Sequence, residues 1–108
     1  MINPLKITEM LSQASHMQEE VQRKLAQTVV EGASGGGAVT ATMNGKKQLL
    51  SLHIDASAVA SLSGSSPDVE MLENLVVSAV NEAGRKADEA IQSSVKGLLG
   101  ELNLPGLG

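Results

Sequence analysis

A stripe of apolar side chains at helical spacing predicts one very long helix over residues 67–97 of this 108-residue chain. Ser66, Pro67 and Asp68 are typical of a helix start, because a hydroxyl caps the first turn, proline fits its first position and a carboxylate favours the positive end of the helix dipole. About thirty helical residues measure about 45 Å, whereas a compact domain of this size has a radius of gyration of about 13 Å. We therefore expect this helix to extend beyond its own domain.

An extended apolar stripe needs a second surface to cover it, and a symmetric homodimer is the commonest solution. The composition supports the same expectation, since 42% of the residues are apolar but none is Phe, Tyr or Trp. Each aromatic side chain normally buries about 150–250 Å², so a small chain without any is short of driving force for folding alone. We expect a homodimer whose core consists of Leu, Val, Ile, Met and Ala.

A first helix is predicted over residues 4–28, where apolar residues recur every three or four positions. Asn3 is a suitable cap and Pro4 a suitable first residue. The stripe consists of Ile7, Met10 or Leu11, Ala14, Met17, Val21 and Leu25.

Between the two helices the apolar period changes to two, which predicts strands at about 29–34, 38–43 and 46–54. Asn44-Gly45 is typical of a two-residue hairpin turn in which both residues take positive φ. The register that follows from this turn pairs Met43 with Lys46, Ala41 with Gln48 and Val39 with Leu50. One face of the hairpin is then apolar and the other mostly polar, as in an open antiparallel sheet with helices on one side.

The predicted fold is therefore α+β, a single α-β-β-β-α domain over residues 1–108 with a three-stranded antiparallel sheet and two long helices. Residues 55–68 form a Ser-, Ala- and Gly-rich loop with room for a short helical turn, and residues 98–108 are expected to be a mobile tail. The candidates for core or dimer contacts are Val39, Leu50, Ile54, Leu72, Val76 and Ala79.

Gly35-Gly36-Gly37 raises the possibility of a phosphate-binding loop. A P-loop leads from a strand into a helix and carries a Lys-Ser or Lys-Thr pair, whereas these glycines lead into a strand and no such pair follows. The favoured interpretation is a connector between the first two strands. We expect no nucleotide or other cofactor and no small-molecule substrate.

Catalytic and metal-binding patterns are also weak. His16 and Glu19 lie one turn apart on the first helix, but a zinc-binding helix would need a second His beside them, and the other, His53, lies on the sheet. Nothing resembles a nucleophile with its base. The expectation is a protein that is not an enzyme and has no metal.

The chain is expected to lie in the cytoplasm. Its start lacks the pattern of a secretory signal, cysteine is absent, and no apolar run approaches the roughly 20 residues that span a bilayer. We expect no membrane association.

Six of the eight basic residues form adjacent pairs, Arg23-Lys24, Lys46-Lys47 and Arg85-Lys86. One interpretation is that they are solvated surface charges, and Glu82 with Lys86 has the spacing of an ordinary helix ion pair. The other is that a dimer doubles each pair, so that two-fold-related patches contact a DNA duplex through its phosphates. The net charge of −4 argues against a broad basic surface, and such binding would be weak and sensitive to salt.

Several segments together resemble the YbaB/EbfC family of bacterial nucleoid-associated proteins, in order and over nearly the whole chain. They are SGGGAV (34–39), MNG (43–45), HID (53–55), MLENLVVSAVNEAGRK (71–86) and LNLPG (102–106). The resemblance implies an intertwined, tweezers-like homodimer of α-β-β-β-α protomers that binds double-stranded DNA in the nucleoid and affects gene expression. It also implies DNA contacts on the helical arms, for which the candidates are Arg23, Lys24, Arg85 and Lys86.

Two hypotheses remain open. In the first, the chain is a dimeric nucleoid-associated protein that binds DNA mainly through phosphate contacts. In the second, it is a protein-interaction or scaffolding dimer, for example with the DNA-repair machinery, that does not bind DNA directly.

Overall fold

The computed structural model describes residues 3–102. The chain forms α1 (Pro4–Gln27), β1 (Val29–Ser34), a 3₁₀ turn (Gly35–Gly37), β2 (Val39–Asn44), β3 (Leu49–Ile54), α2 (Ala56–Ala60) and α3 (Ser66–Leu102). The strands form one antiparallel sheet in the order β1-β2-β3. The predicted α-β-β-β-α order is confirmed, and α2 is the short helical turn expected after β3.

α1 is attached to the rest of the chain near its carboxyl end. Its start is capped as predicted, since Oδ1 of Asn3 accepts the Leu5 N–H at 3.0 Å. Leu25, near the last turn, is its one buried residue, whereas Leu5 and Leu11 are 73% and 67% exposed. The amino-terminal half of α1 therefore extends away from the sheet as an arm.

The three glycines connect β1 to β2. Ser34 pairs directly with Val39, so the chain must reverse within a few residues. Gly35, Gly36 and Gly37 achieve this with φ values of 62°, 68° and 97°. Residues other than glycine rarely adopt such positive φ values. Their role as a connector is confirmed.

The predicted two-residue turn between β2 and β3 is wrong. The Asn44 N–H donates to the Gln48 carbonyl at 3.0 Å, which leaves a three-residue loop. Its last residue, Lys47, takes φ 65°, while Asn44 and Gly45 do not take positive φ. This is the common hairpin in which a turn is followed by one left-handed residue.

The register of the hairpin is corrected in consequence. A bulge near Thr42 and Met43 adds to the longer loop, so that Val39 faces Ile54 and Ala41 faces Leu52. At Val39 and Ala41 the shift is four residues, so Leu52 and Ile54 stay on the predicted face. At the turn end Met43 faces Leu49 instead of Lys46, a shift of three residues, which places Leu49 on the same face as Met43. The predicted pairing of Val39 with Leu50 does not occur.

α3 packs on β1 and β2 through a stripe of alanines. Ala79, Ala83 and Ala87 are fully buried, and the core that they form with the sheet also contains Val39, Ala41 and Met43. Gly32 of β1 lies so close to α3 that a Cβ there would overlap backbone atoms of Ala79 and Ala83. Small residues on both sides therefore let the helix approach the sheet closely without any aromatic residue in the core.

α3 is longer than predicted. It has 37 residues, and the described chain extends over 74 × 25 × 18 Å with a radius of gyration of 20.8 Å. The helix therefore extends past the sheet, as expected from its apolar stripe. Residues 98–102 are helical, which corrects the predicted tail, while residues 103–108 lie outside the described part of the chain.

The core and dimer candidates differ in burial. Val39 and Ala79 are buried in the core, while Ile54, Leu72 and Val76 are partly buried against it. Leu50 is 52% exposed, so it lies outside the core of the single chain. Within residues 3–102, no helix is both long and apolar enough to cross a bilayer.

Candidate nucleic-acid interface

The turn between β2 and β3 brings the three basic pairs to one end of the sheet. On one side, the Gly45 N–H donates to the Leu25 carbonyl at 2.8 Å, which fixes the turn against the end of α1, next to Lys24. On the other side, Nζ of Lys47 lies 3.3 Å from Oδ1 of Asp88 on α3. Each of the three elements that meet here carries one basic pair. We refer to this region as the basic end.

Lys47 and Arg85 line one shallow depression at the basic end. The Lys47 side chain passes close to Gly84, since a Cβ there would lie 3.9 Å from Cε of Lys47, which is ordinary van der Waals contact. The other lining residues are Met43, Val80, Asn81 and Asp88. A turn residue and a helix residue are thereby brought side by side, although 38 positions separate them in the sequence (85 − 47).

Arg85 is held by two glutamates of its own helix. Its Nε and Nη2 donate to the two carboxylate oxygens of Glu82 at 3.2 and 2.6 Å, and its Nη1 donates to Oε1 of Glu89 at 2.5 Å. The hydrogen bonds and charge of Glu82, together with the charge of Glu89, raise the pKa of Arg85, and the bond from Arg85 lowers the pKa of Glu82. The pair expected between Glu82 and Lys86 is replaced by this arrangement.

The two basic residues of α1 face different surroundings. Lys24 lines a groove between α1 and α3, together with Met17, Glu20, Val21, Ser93, Ser94 and Gly97. Arg23 is exposed, and it lies two positions, or about 200° around the helix, from the buried Leu25. Arg23 therefore faces away from the sheet, while Lys24 faces the space between the helices.

Lys86 lies beside the alanine stripe and is half-buried. It directly precedes the buried Ala87 in α3. Among the side chains that the structure describes, Arg23, Lys24 and Lys86 form no ion pair, in contrast to Arg85. Three of the four DNA-contact candidates are thus outside the ion pairs of the described residues, although the charge of Lys86 also helps to lower the pKa of Glu82.

Lys46 and Lys47 form one of the three basic pairs but were not among the four candidates for DNA contact on the helical arms. The structure places them between α1 and α3, at the centre of the basic end. Their position directly after Asn44-Gly45 was the sequence signal for this placement, because a hairpin turn projects its side chains from the end of a sheet.

The other candidate sites gain no support. Cβ atoms built on Gly36 and Gly37 would meet nothing within 4 Å, and these residues lead into β2 rather than a helix. His16 pairs with Glu20 at 3.4 Å on the surface of α1, not with Glu19. In the described range, no three His, Cys, Asp or Glu side chains form a group that could hold a metal ion.

Comparisons with known proteins agree on one family. A model of the YbaB/EbfC DNA-binding family matches residues 3–102. A nucleoid-associated protein of Acidobacterium capsulatum is 64% identical over 104 residues, covering 96% of this chain and 96% of its own. A nucleoid-associated protein of Koribacter versatilis is 50% identical over 100 residues, covering 93% of this chain and 94% of its own.

The fold also occurs in a solved structure. The crystal structure of an uncharacterized protein from Helicobacter pylori matches with a TM-score of 0.73 at 21% identity, covering 92% of this chain and 99% of that one. At this level of identity the match shows a shared fold alone.

Proposed function

This chain belongs to the YbaB/EbfC DNA-binding family, and from that premise we propose that it binds double-stranded DNA as a homodimer, mainly through phosphate contacts. It acts in the bacterial nucleoid, within the cytoplasm, where it contributes to nucleoid organisation and gene regulation. The proposal involves no catalysis, cofactor or small-molecule substrate.

The gathering of basic residues at one end of the sheet is the observation that supports this proposal best. A chain with a net charge of −4 repels DNA on average, so binding requires the positive charges to be concentrated locally. Arg23, Lys24, Lys46 and Lys86 lie on the three elements that meet at the β2–β3 turn. Phosphate contacts by these residues would be independent of base sequence.

A homodimer supplies two such basic ends. The apolar residues Leu49, Leu50 and Leu52 of β3 are 40–52% exposed in the single chain, and a second copy provides a surface that can cover them. Two-fold symmetry then repeats the basic end on the second protomer, so that one dimer contacts the DNA backbone at two places. Dimer formation thereby compensates for the small number of positive charges on each chain.

A mobility-shift titration with a DNA duplex at 50 and 200 mM salt tests the proposal. We expect a shift at low salt and micromolar dimer, and a strong decrease in affinity at 200 mM salt. The variant R23Q/K24Q is expected to weaken binding about tenfold and to reduce the slope of log affinity against log salt by about one for each lost phosphate contact.

The matched control is K6Q/K96Q, which removes the same charge outside the three basic pairs. Its affinity is expected to decrease much less. Equal losses in both double variants would show that only the total charge matters and would contradict a basic end. Absence of any shift at 50 mM salt and micromolar dimer would overturn DNA binding itself.

Exposed apolar residues on α1 favour the second candidate function, a protein-interaction or scaffolding dimer. Leu5, Met10 and Leu11 are 66–73% exposed, which is unusual for three large side chains on one short segment. If this function is the correct one, R85E/K86E retains activity in cells, while polar substitutions at Val76 and Ala79 abolish it. Loss of activity in R85E/K86E with the fold retained would favour DNA binding.

A further inference from the structure

The ion pairs around Arg85 differ from an ordinary surface pair in the number of donors that they occupy. Nε and Nη2 form a two-pronged contact with one carboxylate, Glu82, while Nη1 binds Glu89. Arginine recognises a phosphate through the same forked arrangement of N–H groups. All three guanidinium nitrogens of Arg85 are thus engaged by carboxylates at a place where DNA would be expected to bind.

Helix geometry keeps the two glutamates in place. Glu82 and Glu89 lie three residues before and four residues after Arg85, so all three side chains share one face of α3. This face is opposite the alanine stripe, since Arg85 lies two positions, about 200° around the helix, from the buried Ala83 and Ala87. The backbone of α3 is therefore fixed by the core while the three charged groups meet in solvent.

The three side chains carry a net charge of −1, two carboxylates against one guanidinium. Arg85 in this setting attracts a phosphate less than Lys24 does, because the neighbouring carboxylates repel a phosphate and occupy three of the five N–H groups of the guanidinium. A phosphate can bind the Nε–Nη2 fork of Arg85 only by displacing Glu82.

We propose that Glu82 and Glu89 are built-in competitors of DNA that withhold Arg85 from the phosphates and so limit the affinity of the basic end. The inference rests on the proposed DNA binding and deepens it by assigning a regulatory role to two acidic residues. It also revises the role of Arg85, which contacts a DNA phosphate only when the glutamates are removed or displaced.

The experiment compares duplex binding by the full-length wild type with binding by E82Q/E89Q over a salt series. We expect the double variant to bind about tenfold more tightly at 50 mM salt. Its slope of log affinity against log salt should be steeper by about 0.9 for each phosphate that Arg85 newly contacts.

The matched control is E70Q/E73Q, which removes two exposed carboxylates from the same helix, neither of which forms an ion pair with a described side chain. It should leave the slope unchanged and alter affinity only slightly. An equal gain in affinity and slope would mean that net charge alone controls binding, and the inference would be wrong.

Arg85→Gln in both backgrounds supplies the second measurement. In the wild-type background R85Q should leave the salt slope unchanged, because no phosphate contact is lost. In the E82Q/E89Q background it should return the steeper slope to the wild-type value. A loss of slope in the wild-type background would show that Arg85 already contacts DNA, and it would overturn the inference while leaving the proposed function intact.

The two possible failures are distinguishable. If the wild type binds DNA but E82Q/E89Q binds with the same affinity and slope, only the competitor role fails. If the wild type does not bind and E82Q/E89Q does not bind either, the proposed function fails and the inference fails with it. Glu70, Glu73, Arg85 and Glu89 are exposed and Glu82 is partly exposed, so circular dichroism of each variant should match the wild type.

Discussion

Two neighbouring strands of one sheet, β2 and β3, have opposite surroundings. In β2, Val39 and Ala41 are fully buried, while Leu52, which faces Ala41 across the ladder, is 40% exposed. Directly opposed residues lie on the same face of a sheet, so one face is covered over β2 and open over β3. The difference arises because α3 packs on β1 and β2 and leaves the third strand uncovered.

This contrast shows how the chain divides its apolar surface. The covered half is built from small residues, whose close fit lets a single helix complete it. The open half carries leucines on an edge strand, an arrangement that soluble proteins normally cover or pair. We expect the open half to be completed by the second protomer.

Gly32→Ala tests the covered half and should have the largest effect. Its new methyl group overlaps backbone atoms of α3, so the helix must move away from β1, and we expect the free energy of unfolding to decrease by about 3 kcal/mol. Urea denaturation followed by circular dichroism measures this change. A variant as stable as the wild type would mean that α3 does not approach β1 this closely.

Leu52→Lys tests the open half. Loss of one buried leucine at a dimer interface costs about 2 kcal/mol per protomer, so the two copies in a dimer raise the dissociation constant about 1000-fold. Analytical ultracentrifugation should show monomers with retained secondary structure.

Ser51→Lys is the control for Leu52→Lys, because it introduces the same side chain at the adjacent position, on the opposite face of the strand. It should remain dimeric. If both variants dimerise like the wild type, the open face of β3 does not form the interface.

The sequence predicted which elements form this sheet but not how β2 and β3 align. Periodicity and caps identify the helices and strands because these signals are local, and the alternation of apolar residues correctly assigned the face of Val39 and Ile54. The register depended on Asn44-Gly45, a pair that favours a two-residue turn. Here Lys47 takes the left-handed conformation instead, and no local sequence pattern predicts this conformation at a lysine.

The open face of β3 was likewise hidden from the sequence. An alternating apolar strand looks the same whether its own chain or a second chain covers it. The position of α3 over β1 and β2 is decided by the close approach at Gly32, which involves residues 47–51 positions away in the chain (79 − 32 and 83 − 32).

The candidate site was predicted only in part. The three basic pairs are visible in the sequence, but the convergence of Lys47 with Arg85 depends on the tertiary fold. The pairing of Arg85 is different, because its glutamates have spacings that a helix brings together. The same spacing rule also favoured Glu82 with Lys86, and only side-chain positions decide between the two partners.

Gly84→Ala returns to the helix that covers β1 and β2, with a smaller effect of opposite sign. A Cβ at this position meets only the end of the Lys47 side chain at 3.9 Å, and alanine is favoured over glycine within a helix by about 1 kcal/mol. We expect the free energy of unfolding to increase by about that amount in urea denaturation. A decrease would show that the depression between Lys47 and α3 has no space for a methyl group.

Asp68→Asn concerns the start of α3 and should have the smallest effect. The Asp68 carboxylate accepts two hydrogen bonds from Ser63, one from its N–H at 2.7 Å and one from its hydroxyl at 2.6 Å. These hydrogen bonds lower the pKa of Asp68 below its ordinary value. A group whose pKa is lowered by folding contributes stability above its unfolded pKa and loses it as the pH decreases through the folded pKa. The wild type should therefore be more stable than D68N at pH 7, by less than the change at Gly84, and the difference should shrink below about pH 4. Thermal unfolding of both proteins between pH 7 and pH 3 measures this difference in stability. A difference that stays constant or increases as the pH decreases would show that the Ser63 contacts do not stabilise the ionised carboxylate.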